Sequence, residues 1–323
     1  MFSPAYLLGP VVTLGLVGLY AVVFFITADP TEGFLSDVFF RIAALLVLVA
    51  APAALLVAWG EIDLSVFGTS VFAGWVYAET ADTSVAAALL ACAAVGVACG
   101  VGIGLARWLT RVPAALLTLG VGFLLQAIAL DQIGVQGRAV VDGVIDGNAL
   151  PVVAAIAVTA LALGASFLGV GVTDERRRSG VPGPEVIAGF VLSGLAAGLF
   201  GGINVGALRF AVPVAGENVL LPLFTAVAIA GVVRGSGPIA PLAGAAAGVV
   251  VAMIQSGTQL RSWEPFGNLV LLGGLLLAAG LVGHLLHRAL DAAFRSGTAS
   301  RQPAPIGGDP HLAPPPPPAV EPS

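Results

Sequence analysis

The sequence contains no lysine, and all 13 of its basic residues are arginine. A Walker A loop holds the phosphates of ATP with a lysine, so the chain carries no P-loop ATPase site of its own. A Schiff-base mechanism requires a lysine amine and is excluded for the same reason. The absence of one residue type therefore removes two large classes of enzyme.

Cysteine and histidine are scarce, with two cysteines and three histidines in the chain. Cys92 and Cys99 would lie about 10 Å apart along a helix, which is too far for a disulfide bond. His284 and His287 are close in sequence but have no third ligand nearby, so we predict no metal site. Nucleophile-elbow, HExxH and CxxC signatures are also missing, and we expect no catalytic residues and no cofactor in this chain.

Charge is the third deficit, because only 10% of the residues are charged while 58% are hydrophobic and the mean hydropathy is +1.02. Soluble domains are about 25% charged. Apolar runs of roughly 18 or more residues recur along the chain, each long enough to cross the bilayer core as a helix. The net charge of −5 and the lack of a basic stripe argue against a nucleic-acid partner. We predict an all-α polytopic membrane protein in the lipid bilayer.

About ten transmembrane helices are predicted, in two pseudo-repeated halves that form one domain over residues 1–295. The spans are Ala5–Thr27, Val38–Trp59, Leu64–Ala78, Ser84–Arg107, Val112–Leu130, Leu150–Val172, Val186–Val205, Leu220–Val233, Pro238–Gly257 and Pro265–His287. The third and eighth spans are short, and short or broken segments in transporters often mark the transport path. Residues 296–323 are rich in proline and are predicted to form a disordered cytoplasmic tail.

The longest charged interruption, Thr173–Val186, separates the two halves. Its arginines Arg176, Arg177 and Arg178 would each cost roughly 2.5–3.5 kcal/mol in hydrocarbon, so we place this loop in water. The loop either fixes the orientation of the chain or binds a soluble partner that supplies energy. We predict that the coupling segment would consist of Glu175, Arg176, Arg177, Arg178, Ser179, Gly180 and Val181.

Arginine placement predicts the orientation of the chain. With the amino terminus in the cytoplasm, the inside loops and tail hold Arg107, Arg111, Arg176, Arg177, Arg178, Arg234, Arg288, Arg295 and Arg301, whereas the outside loops hold Arg138, Arg209 and Arg261. Arg41 is an exception that could snorkel to the outer interface. We therefore expect both termini to be cytoplasmic.

Glycine recurs at every fourth position in two spans. Gly96, Gly100 and Gly104 share one helix face, and the row Gly194, Gly198, Gly202 and Gly206 shares another. Small residues at this spacing let two helix backbones approach closely. We expect the rows to pack inside one bundle, with a dimer interface as the alternative.

Polar residues within the apolar segments are few, and they are the candidates for a transport path or for structural hydrogen bonds. They are Asp63, Ser65, Gln126, Asn204, Gln255 and Gln259. Asp63 precedes an apolar span, so we interpret it mainly as a helix cap, with solute contact as the alternative. Neutral amides suit an uncharged polar solute, although hydrogen bonds between helices are the commoner use of such residues.

Four sequence blocks occur in order between Val38 and Val282. They are GEIDLSVFG at Gly60–Gly68, Pro113 followed by TLG at Thr118–Gly120, SGLAAG at Ser193–Gly198, and Gly244–Ala245 followed by QSG at Gln255–Gly257. They resemble the Gly-Gly-Ile-Asp-Leu-Ser-Val-Gly, Pro-x-x-x-x-Thr-Leu-Gly, Ser-Gly-Leu-Leu-Ala and Gly-Ala with Gln-Asn-Gly blocks of membrane permeases from bacterial ABC importers of the ribose and xylose type. The acidic, paired-glycine stretch late in that family is replaced here by Gly216–Pro222 and Val232–Gly235, and the coupling loop is short.

The resemblance implies the transmembrane subunit of an ATP-driven importer for a sugar or related polar solute in a bacterial cell membrane. It also implies cytoplasmic ATPase subunits that bind ATP and Mg²⁺, a second permease subunit and an extracytoplasmic solute-binding protein. The second permease subunit would be either a copy of this chain or a different one, and the departures suggest the divergent half of a heteromeric pair. Two alternatives stay open: an ion-coupled secondary transporter, for which Glu61 and Asp63 are the plausible carboxylates, and a noncatalytic membrane scaffold.

Overall fold

The computed structural model describes residues 5–134, 136–140, 143–168, 183–212, 217–232, 236–263 and 266–299. These residues form ten helices of 13 residues or more. They are α1 (Ala5–Ile26), α2 (Phe40–Trp59), α3 (Val66–Thr80), α4 (Val85–Thr110), α5 (Ala114–Ile133), α6 (Ala149–Leu168), α7 (Glu185–Leu208), α8 (Glu217–Ile229), α9 (Ala240–Leu260) and α10 (Phe266–Ala299). A helical turn at Glu32–Phe34 and a π-helical segment at Leu35–Phe39 lead into α2, and a 3₁₀ turn at Gly237–Ile239 leads into α9.

Each of the ten predicted spans overlaps one of these helices. Six helical segments are long and apolar enough to cross a membrane, which agrees with a membrane protein. As predicted, α3 and α8 are short, with 15 and 13 residues. The last helix continues to Ala299, beyond the predicted end of the domain at Arg295. Residues 300–323 of the predicted tail lie outside the described residues.

Local sequence explains several helix ends. The Ser84 hydroxyl accepts the amide of Ala87 at the start of α4. The helix α2 ends at Gly60, whose φ of +85° lies in the left-handed region that glycine adopts without steric cost. Its amide donates to Leu56 and Val57, which satisfies carbonyls left free at the helix end. The chain can therefore turn sharply between α2 and α3.

The closest helix crossing joins α4 to α7 through the two predicted glycine rows. A Cβ on Gly96 would lie 2.1 Å from the carbonyl oxygen of Gly194, and a Cβ on Gly198 would lie 2.3 Å from that of Cys92. Gly104 in turn faces Ile187 at the other end of the crossing. The prediction that these rows pack within one bundle is confirmed.

The crossing of α9 over α2 is the second close contact. A Cβ on Gly244 would lie 2.6 Å from the carbonyl oxygen of Ala50, and one on Gly248 would lie 3.0 Å from the Val47 amide. The helix α1 packs on α9, and α6 packs on α2. The most exposed apolar side chains lie on α1, α4, α5, α6 and α10, where a bilayer would cover them.

One end of the bundle gathers the loops that the arginine count places outside. Arg138 and Ala139 pair in antiparallel fashion with Ala211 and Phe210, respectively. Nearby, the Ile145 amide donates to the Gly206 carbonyl over 3.1 Å. These contacts tie the segment between α5 and α6 to the end of α7.

A second set of contacts at this end joins α1 to the turn after α9. Arg261 donates to the Thr27 hydroxyl over 2.7 Å, and its guanidinium lies 4.1 Å from the centre of the Phe24 ring. The turn after α9 is therefore held against the end of α1.

Candidate functional site

The α2–α3 connector, residues 60–65, carries the densest group of buried polar side chains in the part of the chain that the structure describes. Glu61, Asp63 and Ser65 are all buried although they occupy a loop. A buried loop must find hydrogen-bond partners for its polar groups because no water can satisfy them. The partners come from α4, α5 and α7.

Glu61 forms a two-point ion pair with Arg107 near the end of α4. Arg107 Nη2 donates to Glu61 Oε1 over 2.8 Å, and Nε lies 3.1 and 3.0 Å from Oε1 and Oε2. The Arg107 side chain is 13% exposed, and the Glu61 side chain is 8% exposed. The planar guanidinium matches the carboxylate in this arrangement, and burial shields the pair from screening by salt.

Asp63 has neutral partners instead of a cation. Its Oδ1 accepts the Ser65 amide over 2.8 Å and the Ser65 hydroxyl over 2.6 Å. The Ser193 hydroxyl on α7 also hydrogen-bonds to this carboxylate. Burial raises the pKa of Asp63, and the hydrogen bonds from Ser65 and Ser193 oppose that increase.

Asp63 is not the N-cap residue of α3, which corrects the interpretation made from the sequence. The N-cap residue of α3 is Ser65, and its side chain makes no capping hydrogen bond. Asp63 binds the amide of Ser65 itself, one residue before the helix begins. The carboxylate thus orders the turn that leads into α3, and it also reaches α7.

Three of the four sequence blocks meet at the connector. The Leu64 amide from the first block donates to the Thr118 hydroxyl of the second block over 3.0 Å. Asp63 of the first block meets Ser193 of the third block. Just beyond, the backbones of α3 and α5 touch, because a Cβ on Gly68 would lie 1.9 Å from the Gly122 carbonyl oxygen.

The fourth block lies elsewhere, on α9. Its Gly244 packs against α2, and a Cβ on its Gly257 would lie 2.6 Å from the Phe24 ring of α1. Ser256 is fully buried, and its hydroxyl has no hydrogen-bond partner among the described residues. This block therefore serves the α1–α2–α9 contact and does not reach the connector.

A narrow cleft lies where α3, α7 and α8 meet, with a volume of about 20 Å³, which is room for about one water molecule. The lining residues are Ser70, Val71, Gly74, Phe200, Gly201, Asn204, Val205, Val212 and Val219. Ser70 and Asn204 supply polar groups, and this lining contains no charged side chain. The cleft is narrow because a Cβ on Gly201 would lie 2.0 Å from the Ser70 carbonyl oxygen.

The structure separates the predicted path residues. Asn204 lines the cleft, while Asp63 and Ser65 belong to the connector. Gln126 is half-buried on α5, and Gln255 is half-buried on α9. Gln259 is exposed on the same helix. The predicted coupling segment Glu175–Val181 lies outside the described residues.

Sequence patterns missed the partners of the connector. Thr118, Ser193 and Arg107 lie on three different helices, and only the folded chain brings them to residues 60–65. Ser70 was also missed, because a serine inside an apolar helix most often donates to its own backbone, as Ser70 does to the Phe67 carbonyl. Among the described residues, no group of three or more histidine, cysteine, aspartate or glutamate side chains could hold a metal ion.

Comparison with known proteins gave no match, since no family model, no curated protein and no solved structure is detectably similar to this chain.

Proposed function

We propose that this chain is the membrane-spanning subunit of an ATP-driven ABC importer and forms the path for a sugar or related small polar solute. Its partners would be cytoplasmic ATPase subunits that bind ATP and Mg²⁺, a second permease subunit and an extracytoplasmic binding protein. The chain itself would perform no bond chemistry. It would sit in a bacterial cell membrane with both termini in the cytoplasm.

The observation that carries the proposal is a matched packing pattern in the two halves of the chain. The helix α4 packs on α7 as α9 packs on α2, and α3 packs on α5 as α8 packs on α10. The contacts of α3 with α7 and α4 likewise match those of α8 with α2 and α9. Exchanging α2–α5 for α7–α10 therefore preserves these contacts, which supports an internal repeat.

Short helices occupy equivalent positions in this pattern. The helices α3 and α8 are the shortest of the ten, and they meet at the cleft that contains Ser70 and Asn204. In transporters built from repeats, short or interrupted segments at matching positions identify the binding site. A cleft without charged side chains fits an uncharged solute, because a charged solute would need a compensating group.

The secondary-transporter alternative depends on two carboxylates that would bind coupling ions. Glu61 already has a cation, since Arg107 binds both of its oxygens. Asp63 is the remaining candidate, and its neighbours are hydroxyl and amide donors. The sequence resemblance favours energy supplied by ATP over energy supplied by an ion gradient.

Uptake assays distinguish these two energy sources. The chain would be purified from its native host with its bound partners and placed in vesicles, with sugars tested as solutes. We expect uptake to require ATP inside the vesicle, to stop with orthovanadate and to continue with a protonophore or sodium ionophore. Uptake that follows an ion gradient without ATP would exclude the proposal.

Two variants test the cleft as the solute path. Asn204→Leu should reduce uptake about tenfold or more, because a buried polar group that meets the solute cannot be replaced by an apolar one without loss. Gln259→Leu is the control, since Gln259 is exposed on α9 and distant in sequence from the cleft. Equal uptake by both variants at equal membrane abundance would place the path elsewhere.

A further inference from the structure

The Glu61–Arg107 ion pair lies between two parts of the molecule that differ in role. Arg107 belongs to the last turn of α4, next to the predicted inside loop that contains Arg111. Glu61 belongs to the connector, which continues directly into α3. Two turns further along, Ser70, Val71 and Gly74 of α3 line the cleft. The pair therefore joins the end of α4 to the helix that borders the cleft.

Stability alone is a weak explanation for this pair. A buried ion pair must recover the cost of removing both charges from water, and apolar residues of similar size often stabilise a protein equally well. The best-attested use of buried ionic groups is to fix the relative position of structural elements. A two-point contact between a guanidinium and a carboxylate constrains orientation as well as distance.

Other contacts hold the connector and α3 against neighbouring helices. Leu64 is fixed to α5 by Thr118, and Asp63 is fixed to α7 by Ser193. At the middle of α3, the Cys92 thiol on α4 donates to the Ala73 carbonyl over 3.1 Å. A displacement at the Arg107 end of α4 can thus reach α3 through a chain of direct contacts.

We propose that Glu61 and Arg107 are positioning residues that make α3 move together with the Arg107 end of α4, and so link the inside face of the bundle to the cleft. Neither residue contacts the solute. The role in transport rests on the proposed function, whereas the positioning of the connector does not.

The distance between connector and helix end tests the positioning directly. Spin labels at Ile62 and Leu109, which are 42% and 71% exposed, would report the separation of the connector from the end of α4. The background would carry Cys92→Ser, which keeps a hydroxyl donor, and Cys99→Ala. The neutral double variant Glu61→Gln with Arg107→Gln avoids leaving one buried charge unpaired.

We expect a narrow distance distribution in the parent protein, a broad or shifted one in the neutral double variant, and recovery in the reversed pair Glu61→Arg with Arg107→Glu. The matched control is Glu79→Gln with Arg138→Gln, an exposed pair at the opposite end whose side chains are 41% and 46% exposed. An unchanged distribution in the folded neutral variant would overturn the proposal.

The second measurement addresses transport in the complete complex. The number of solute molecules moved per ATP hydrolysed should fall about fivefold in the neutral double variant, at the low end of typical coupling between sites. A purely structural role would lower complex abundance and leave this ratio intact. If the complex does not use ATP at all, the proposed function fails while the distance measurement still decides the positioning role.

Discussion

At the scale of single residues, the connector contains two carboxylates whose surroundings differ. Glu61 is balanced by the cation of Arg107, and Asp63 is surrounded by the neutral donors of Ser65 and Ser193. Burial penalises the charged form of Asp63 and raises its pKa, and the hydrogen bonds from Ser65 and Ser193 oppose that increase. Asp63 therefore contributes through hydrogen bonds and position, and its charge is a cost that the fold tolerates.

Substitutions at Asp63 should separate hydrogen bonding from charge. Asp63→Ala leaves the Ser65 and Ser193 groups without their acceptor and should lower the free energy of unfolding by about 2 kcal/mol. Asp63→Asn keeps an acceptor oxygen and removes the charge, so it should be at least as stable as the parent at pH 7. Thermal unfolding in detergent measures both variants, and Asp82→Ala, at an exposed carboxylate, is the control. Normal folding of the asparagine variant with a changed solute preference would instead assign selectivity to Asp63.

The pH dependence of this difference has a definite sign. The pKa of Asp63 is raised from its usual 3.8 in the folded chain. A raised carboxyl pKa stabilises the folded protein at low pH, and this stabilisation is lost as the pH rises through the folded value. As the pH rises from 3.8 through the folded pKa, the free energy of unfolding of the parent should therefore fall relative to that of Asp63→Asn. Parallel pH profiles for the two proteins would contradict a raised pKa.

At the scale of helices, hydropathy and glycine spacing were sufficient to predict most of the architecture. Apolar run length identified all ten helices, and six of the helical segments are long and apolar enough to cross a membrane, where a segment must satisfy its own backbone. The end of α10 was predicted too early, at His287, because an apolarity criterion stops where arginines and an aspartate appear. Backbone hydrogen bonding continues through the alanine-rich residues 289–293, which favour a helix regardless of polarity.

The α4–α7 crossing gives a prediction with a control on the same helix. Gly96→Ala places a Cβ 2.1 Å from a backbone oxygen of α7, so the helices must separate and we expect a loss of about 1–3 kcal/mol. Gly102→Ala meets nothing within 4 Å and should be neutral or more stable by about 0.5–1 kcal/mol. Unfolding curves of both variants measure their stability relative to the parent. Equal stability would mean that the rows are not in backbone contact.

The candidate site was only partly predictable. Composition singled out Asp63, Ser65 and Asn204, since polar groups in apolar surroundings are conspicuous. Their partners Arg107, Thr118 and Ser193 are set by tertiary packing, which leaves no periodic signal in the sequence. Arg107 was interpreted only as an orientation signal, although the folded chain buries it against Glu61.

At the scale of the whole molecule, the matched packing of the two halves places both short helices at one cleft. The connector joins that cleft to the end of α4, next to Arg111. An energy-supplying partner could bias the bundle only through contacts that differ between its states. The charged segment between the halves is the candidate for such a contact, on the basis of its sequence.

Neutralising Arg176, Arg177 and Arg178 together with glutamine tests this role. We expect transport and solute-stimulated ATP hydrolysis to fall together by about tenfold, within the usual range of coupling between sites. Arg111→Gln, at an exposed arginine beside α4, is the control for loss of a positive charge at the same predicted face.

Orientation must be established first in this experiment, because removing three positive charges weakens the bias that keeps a loop inside. Cysteine labelling from each side of the membrane reports the orientation, in a background without Cys92 and Cys99. Insertion in both orientations would show that the three arginines fix the orientation of the chain in the membrane. Correct insertion with normal ATPase assembly and normal transport would show that the three arginines are not needed for coupling. The coupling contact would then be made by the backbone at Ser179, Gly180 and Val181, or by the second permease subunit.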